Sequence, residues 1–579
     1  MNESLIKNKA FWTVLLIAAL TLLPFIGMTE YQTKGEPRES IVSLSMLETG
    51  NWVLPRNNGG EMAYKPPFFH WCVAACSAVQ GEVSEGSSRL PSALALIIMT
   101  ACGFIFFARR KGVEVGILAS LIAFTTFELH RAGANCRVDM VLTALTVCAL
   151  YALFRWYEKG KKGIGWVASA ILLMGLGTLT KGPVGSIIPC LVMGLFMLLR
   201  GENFFRAFFT LFLFGILSLI PYALWFYAAY NQGGQEFLDL MYEENIGRMT
   251  NTMGYESCVH PWPYNIQSVV LGFLPWTLML VLSLFFLKYR KPSLSPANWW
   301  TSLRTWWNRQ DMVSQYALTA AVTIFVFYCI PQSKRSVYLM PLFPFASYFV
   351  AQYILWMSRH ARKVMYLYGS ILSVLSIVLV VAFFVLKLQL IPESLFTGRH
   401  AAQNIRMLHA LEDISAWWQI VCILLPGILG AMWWKHNKRD DSSNIYFTLL
   451  LTFGIYFAID STISPTVMNT KSIKDVSIEI GRRAPESEGG LYEFIEASVK
   501  AKGDPIHFFE VNFYLNNRIG NFYKERPAKG YLLMLSNDVE TNLPIFEKEG
   551  YTFTLVYDPQ VRDMLLYRFE KKQAETAQP

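Results

Sequence analysis

The chain has 579 residues, 53% of them hydrophobic and 16% charged, with a net charge of +9. Soluble globular chains carry about 25% charged residues. This composition therefore excludes a string of soluble domains, a disordered chain, collagen and a coiled coil, and it indicates a polytopic membrane protein with no nucleic-acid partner.

A helical span needs about 17–25 apolar residues. Such runs are expected at 11–28, 90–108, 113–129, 140–157, 164–180, 184–199, 207–227, 265–287, 313–330, 338–357, 364–386, 416–434 and 445–460. Basic residues fall in every second connection. They are Lys7 and Lys9; Arg109, Arg110 and Lys111; Lys159, Lys161 and Lys162; Arg200 and Arg206; Lys288, Arg290, Lys291, Arg304 and Arg309; Arg359, Arg362 and Lys363; and Lys435, Lys438 and Arg439. Basic residues mark cytoplasmic loops. The N-terminus is thus expected inside, and an odd number of spans, 13, places the C-terminus outside. Of the 93 charged residues, 32 lie in 461–579, so the expected organisation is a transmembrane domain over 1–460 and a soluble α/β domain over 461–579.

The first outer loop, 29–89, opens with Lys34-Gly35-Glu36-Pro37-Arg38-Glu39. It continues through an amphipathic stretch, Ile41 to Leu47, to Tyr64-Lys65-Pro66-Pro67. Short amphipathic helices with Trp and Phe suit a membrane interface. A carboxylate at the membrane rim is costly unless it is paired or faces a wet cavity. Glu36 therefore reads either as half of a structural pair with Arg38 or as a reactive acid. Asp139, after Arg137 in the second outer loop, reads as a helix cap or as a second acid. Lys181 ends the fifth span on the outer side, where Lys is disfavoured. It calls for a carboxylate or a phosphate; snorkelling and a helix-dipole contact are the alternatives. His260 lies in a loop around 228–264, and Lys334 and Arg335 lie in a hinge at 331–337. Acids beside a cationic rim suit a reaction with a phosphate leaving group, in which an acid takes a proton or holds a metal and the cations stabilise the departing phosphate.

In the tail, 506–511, 531–535, 551–556 and 564–569 read as strands and 543–548 as a helix. None of the nine cysteines forms a C-x-x-C pair. Cys136 and Cys258 lie in outer loops, where a disulfide is chemically permitted and left open by the sequence.

Several motifs occur in order: Glu36-Pro37-Arg38 with Met46-Leu47-Glu48-Thr49-Gly50-Asn51-Trp52, Lys65-Pro66-Pro67, Ser88-Arg89-Leu90-Pro91, Arg137-Val138-Asp139-Met140, Leu179-Thr180-Lys181-Gly182-Pro183, Leu274-Pro275-Trp276 and Ser333-Lys334-Arg335-Ser336. Together they resemble the GT-C class of polyprenyl-phosphate-sugar-dependent membrane glycosyltransferases, in the branch of lipid A 4-amino-4-deoxy-L-arabinose transferases and protein O-mannosyltransferase-like enzymes. The resemblance implies an α-helical polytopic GT-C-like fold of about 13 transmembrane helices with a C-terminal extracytoplasmic α/β domain. It implies a glycosyltransferase of a bacterial inner membrane with a periplasmic tail. The partners would be membrane lipids, a polyprenyl-phosphate-linked sugar donor and a lipid A, glycan or protein acceptor. Glu36 and Asp139 would be catalytic, and Arg38, Lys65, Arg137, Lys181, Lys334 and Arg335 would bind substrate. His260 would be the family's outer-loop His, with a divalent metal ion left open. Two positions depart from the family: Gly35 stands where a first acid is usual, and Tyr64 stands where an acid precedes Lys-Pro-Pro. A lipid or sugar transporter or flippase is the alternative; duplicated halves and mid-span charges, which mark transporters, are absent from the sequence.

Overall fold

The computed structural model describes residues 8–244, 259–286, 296–436, 443–494 and 507–572, with backbone only for 296–300. Lys7, Lys288, Arg290, Lys291, Lys438, Arg439 and Cys258 lie outside the described residues.

Every expected apolar run falls mainly on helix over its described part. Among the described residues nine helices are long and apolar enough to cross a membrane, and up to eleven if two bent pairs each count as one span. Lys9–Phe25 and Val184–Leu199 are apolar but shorter, so helix length alone does not fix the expected number of thirteen. The bent pairs are Val113–Phe124 with Phe127–Gly133, at 68°, and Pro263–Gly272 with Trp276–Phe286, at 99°. The two breaks lie against each other. The Phe127 amide donates to the Leu274 carbonyl at 2.9 Å, and the Trp276 indole donates to the Thr125 hydroxyl at 3.0 Å. Each break thus supplies polar partners to the other, as a helix interrupted at membrane depth requires.

We label the helices up to the first break α1 (Lys9–Leu22), α2 (Gly35–Thr49), α3 (Phe68–Gln80), α4 (Glu85–Lys111) and α5 (Val113–Phe124). The next are α6 (Phe127–Gly133), α7 (Val138–Glu158), α8 (Ile164–Lys181), α9 (Val184–Leu199) and α10 (Phe204–Tyr242). At one end of the bundle the basic clusters meet acids. Arg110 grips Glu158 with two bonds of 2.9 and 2.8 Å, Lys111 pairs with Asp311, and Arg200 donates to Gln315 at 3.0 Å. Helix α10 runs well beyond the expected 207–227, so part of the expected loop around 228–264 is helical. It bends at Gly234 (φ 57, ψ −141), a backbone state open only to glycine.

The first loop holds α2 and α3 joined by a hairpin, β1 (Arg56–Asn57) and β2 (Glu61–Met62), paired antiparallel. Gly50 (φ 70) ends α2 in the left-handed conformation, a common helix stop. Tail strands β3 (Gly490–Glu493), β4 (Ile519–Asn521), β5 (Lys529–Leu535), β6 (Tyr551–Tyr557) and β7 (Met564–Lys571) form one mixed sheet in the order β4-β3-β5-β7-β6. The strands expected near 531, 551 and 564 are present. The strand expected at 506–511 is instead the helix Phe509–Tyr514. Its Phe509 and Phe513, one turn apart, pack on Tyr31 and Ile41, while Val511 enters the tail core. A short apolar run buried on two sides has no period that separates helix from strand. The helix Asn444–Asn469 runs across the expected 460/461 boundary.

Candidate active site

Opposite the end where the basic clusters meet acids, six segments converge on a cavity of about 290 Å³, one of them α10 and its end, with Tyr222, Met241 and Glu244. Helix α2 brings Gly35, Arg38 and Glu39, which its 3.6-residue turn places on one face. The strand-like exit of the hairpin brings Tyr64 and Lys65. The start of α7 brings Arg137 and Asp139, the end of α8 brings Lys181, and the hinge brings Arg335 and Tyr338.

Arg137 is fixed at its backbone: its amide donates to the Ser92 hydroxyl at 3.1 Å, and that hydroxyl donates to its carbonyl at 3.2 Å. Asp139 therefore enters the first turn of α7 at a set angle. It does not cap the helix. Its Oδ1 accepts from Lys181 Nζ, and among the described residues its Oδ2 has no hydrogen bond. Lys181 Nζ also lies 4.1 Å from the centre of the Tyr338 ring, a cation–π contact. Lys181 thus meets a carboxylate, one of the two anions its position called for.

Glu36 and Arg38 are not the expected pair. The oxygens of Glu36 accept from Arg89 Nε at 2.8 Å and Nη2 at 3.1 Å, and Oε1 also accepts from the Cys136 amide at 2.8 Å. Burial raises the Glu36 pKa, but Arg89 and the Cys136 amide outweigh it and hold the carboxyl below its ordinary value. Arg89, 2% exposed, also donates to the carbonyls of Ile26 and Thr29. Glu36 is therefore a buried tie between α2, α4 and the exit of α1, and it does not line the cavity.

The carboxylate that does line the cavity from α2 is Glu39, a residue the sequence reading did not single out as an acid. Its Oε1 accepts from Lys65 Nζ and, at 3.1 Å, from Arg38 Nη2; its Oε2 lies 2.9 Å from His70 Nε2. Burial pushes its pKa up, but Lys65, His70 and Arg38 outweigh that and hold it well below the usual carboxylate range. Glu39 is consequently ionised at neutral pH and positions Lys65 and Arg38.

The cations separate by commitment. Lys65 and Arg38 bind Glu39, and Lys181 binds Asp139. Lys334 is turned inward, 7% exposed, with Nζ donating to the Pro331 carbonyl at 2.8 Å, and it does not line the cavity. Arg137 and Arg335 line the cavity with no hydrogen bond or ion pair to their guanidinium groups among the described residues. A Cβ on Gly35 would sit 3.9 Å from Arg137 Nη1, so an acid at that position would stand beside Arg137.

A metal does not fit these residues. Among the described residues no group of three or more His, Cys, Asp or Glu could hold one. His260 stacks on Tyr264 at 4.1 Å between ring centres, away from the cavity. Cys136 is buried and its Sγ lies 3.8 Å from the Ser40 hydroxyl; its possible partner Cys258 is outside the described residues.

Residues 64–226 match the family model for dolichyl-phosphate-mannose-protein mannosyltransferase. An uncharacterized protein of Aquifex aeolicus is 24% identical over 83% of this chain and 84% of its own. An undecaprenyl phosphate-alpha-4-amino-4-deoxy-L-arabinose arabinosyl transferase of Shewanella sediminis is 25% identical over 68% of this chain and 69% of its own. The crystal structure of ArnT from Cupriavidus metallidurans bound to undecaprenyl phosphate is 17% identical and covers 98% of this chain and 99% of that one, with a TM-score of 0.68. That likeness shows a shared fold.

Proposed function

We infer that this chain, which belongs to the GT-C class of polyprenyl-phosphate-sugar-dependent membrane glycosyltransferases, moves a sugar from an undecaprenyl-phosphate carrier to a lipid A, glycan or protein acceptor. The reaction takes place at the periplasmic face of a bacterial inner membrane. The observation that carries this reading is a cavity at the helix ends that holds Asp139, with a spare oxygen, beside two guanidinium groups that make no hydrogen bond or ion pair among the described residues.

The reaction needs three things of such a cavity. An acceptor hydroxyl must lose a proton as its oxygen attacks the anomeric carbon; Asp139 Oδ2 takes it. The bond from that carbon to the phosphate oxygen breaks, and its electron pair leaves with the polyprenyl phosphate. Arg137 and Arg335 receive that phosphate, and a guanidinium matches its geometry with paired N–H donors. Lys65 and Lys181 each keep N–H donors beyond those given to carboxylates and add to the positive field. Such preorganised charge is worth far more in a cavity than in water. If the acceptor group is itself a phosphate, no base is needed and Asp139 positions it. The apolar helix faces beside the cavity would hold the polyprenyl tail.

The test is sugar transfer by purified protein in detergent, supplied with an undecaprenyl-phosphate sugar and lipid A or protein acceptors. Mass spectrometry of lipid A and surface glycoproteins from cells lacking the protein identifies the product. Absence of any lost glycoform, together with no transfer in vitro, would overturn the reading and favour transport.

A further inference from the structure

A second cavity, about 370 Å³, opens between the first-loop hairpin and the tail sheet. Its wall contains Tyr492 of β3, which sits in register with Gly520 of β4, while Gly490 sits in register with Gly530 of β5. A Cβ on Gly490 would fall 2.6 Å from the Tyr492 hydroxyl oxygen, and one on Gly520 would fall 2.8 Å from the ring. The ring therefore lies down over neighbouring strands, and only glycine fits beneath it. Glycine within a strand weakens it and marks close approach of another group. Here that cost lays an aromatic ring flat in a cavity wall.

The ring is edged by planar polar groups. Among the described residues the Asn57 side chain and the Tyr492 hydroxyl make no hydrogen bond. Arg56 donates to the Gly60 carbonyl at 2.8 Å, and Glu525 accepts from the Asn521 amide through one oxygen at 3.0 Å, leaving its other oxygen open. A flat apolar face with amide, guanidinium, hydroxyl and carboxylate groups at its edge offers donors and acceptors in a mixed-charge setting. A sugar ring presents the complement: apolar C–H groups on one face and hydroxyls around the rim. A bare phosphate site would not place Glu525 in its wall, because like charges repel.

The two cavities share one short segment. Arg56 is paired with Met62, and Lys65 follows three residues later, so their Cα atoms lie at most about 17 Å apart. A glycan of a few units is long enough to span that distance.

We propose that this second cavity binds a sugar unit of the acceptor, which makes the tail domain an acceptor-binding domain. The proposal rests on the glycosyltransferase reading for the word acceptor, but sugar binding is tested without it. Saturation-transfer NMR is run on the full-length protein in detergent with two soluble disaccharides, diacetylchitobiose and maltose, and with inorganic phosphate as control ligand. At least one disaccharide is expected to bind saturably. Tyr492→Ala and Arg56→Met are each expected to weaken it about tenfold, equivalent to one good contact, while Tyr492→Phe stays within about threefold. Donor affinity is expected to be unchanged in all three. Arg56 is exposed, so Arg56→Met keeps the test valid if Tyr492→Ala misfolds. No disaccharide binding, displacement by phosphate, or wild-type affinity in Arg56→Met would overturn the proposal. Disaccharide binding without any sugar transfer would leave the cavity as a sugar site and overturn only the transferase reading.

Discussion

The carboxylates near the membrane rim differ in burial, Glu36 being buried and Asp139 half-buried, and their surroundings give them opposite consequences. Glu36 neutralises Arg89, and removing one partner of a buried pair costs about 3–5 kcal/mol. Glu36→Gln is therefore expected to lower the melting temperature markedly, while transfer per folded molecule stays within about tenfold of wild type. Asp139→Asn keeps its shape and is expected to melt near wild type but to lower turnover at least about 10²-fold, as loss of a general base does. Equal melting of the two variants would refute this division. The cations divide likewise. Arg137→Met and Arg335→Met are each expected to weaken donor binding by roughly 1.5–3 kcal/mol, the range for a charge-assisted bond. Lys334→Met should not, because Lys334 is spent on the Pro331 carbonyl. A titration with undecaprenyl phosphate reads all three. The cavity residues Arg38, Lys65, Arg137, Asp139, Lys181 and Arg335 were legible in the sequence, because charges at span ends are rare and expensive. Glu39 was not, since an acid at the end of the charged run 34–39 also fits a solvated face. Nor was the bond from Glu36 to Arg89, because their distance in sequence, 53 residues, leaves no local pattern.

At the scale of elements, the hairpin β1–β2 links the tail to the site, since Tyr64 and Lys65 follow it directly. It is held by His507, whose ring lies 2.7 Å from Glu493 through Nδ1 and 3.2 Å from Glu61 through Nε2. Asn58 at the hairpin turn also lies 3.5 Å from Nδ1 and takes a bond of 2.6 Å from Asn512. Burial alone would lower the His507 pKa, but the bonds and charges of Glu493 and Glu61 outweigh it and raise it to about 10. A raised value in the folded state means the clamp contributes fully below the unfolded value of about 6.5 and is lost as pH rises through about 10. Hydrogen exchange at the amides of 56–62 is expected to accelerate between pH 7 and pH 10 beyond its intrinsic pH dependence. In His507→Gln that excess is expected to vanish. An excess that persists in the variant would remove His507 as its cause. From sequence, 507 reads as part of a strand in a soluble α/β domain. A His in a short apolar run carries no sign of two acids that arrive from 14 residues before it in the tail and from the first loop.

At the scale of the whole molecule, the direction of each helix bears on the topology that helix length leaves open. The start of α4 and the start of α7 lie together, through Ser92 and the Arg137 backbone. Their far ends also lie together, through Arg110 and Glu158. The two helices therefore run parallel, and α4 with 27 residues is about 40 Å long. The bent pair α5–α6 connects the Arg110 end of α4 to the Ser92 level, about 27 Å away along the helix, as one bent span would. The second bent pair starts where Asn265 bonds the Tyr328 carbonyl at 2.8 Å, beside the cavity hinge. It ends past Ser283, which accepts from Tyr353 at 3.0 Å. Tyr353 lies on the helix Phe343–His360, whose last turn approaches the opposite end through Arg359 and Glu114, 3.7 Å apart. This pair also crosses. The short helix α9 joins the cavity end of α8 to Arg200 beside Gln315, and α1 runs from Phe104 to Arg89, so both cross as well. These connections are compatible with the expected thirteen crossings, which, with basic loops inside, are expected to put 507–572 on the side opposite Arg110, Lys111 and Arg200. A reporter that is active only in the cytoplasm is expected to be silent when fused after Lys571 and active when inserted after Arg200. Activity after Lys571 would mean that one of these helices does not cross, and α1 and α9, the shortest, would be the first to examine by cysteine labelling from each side.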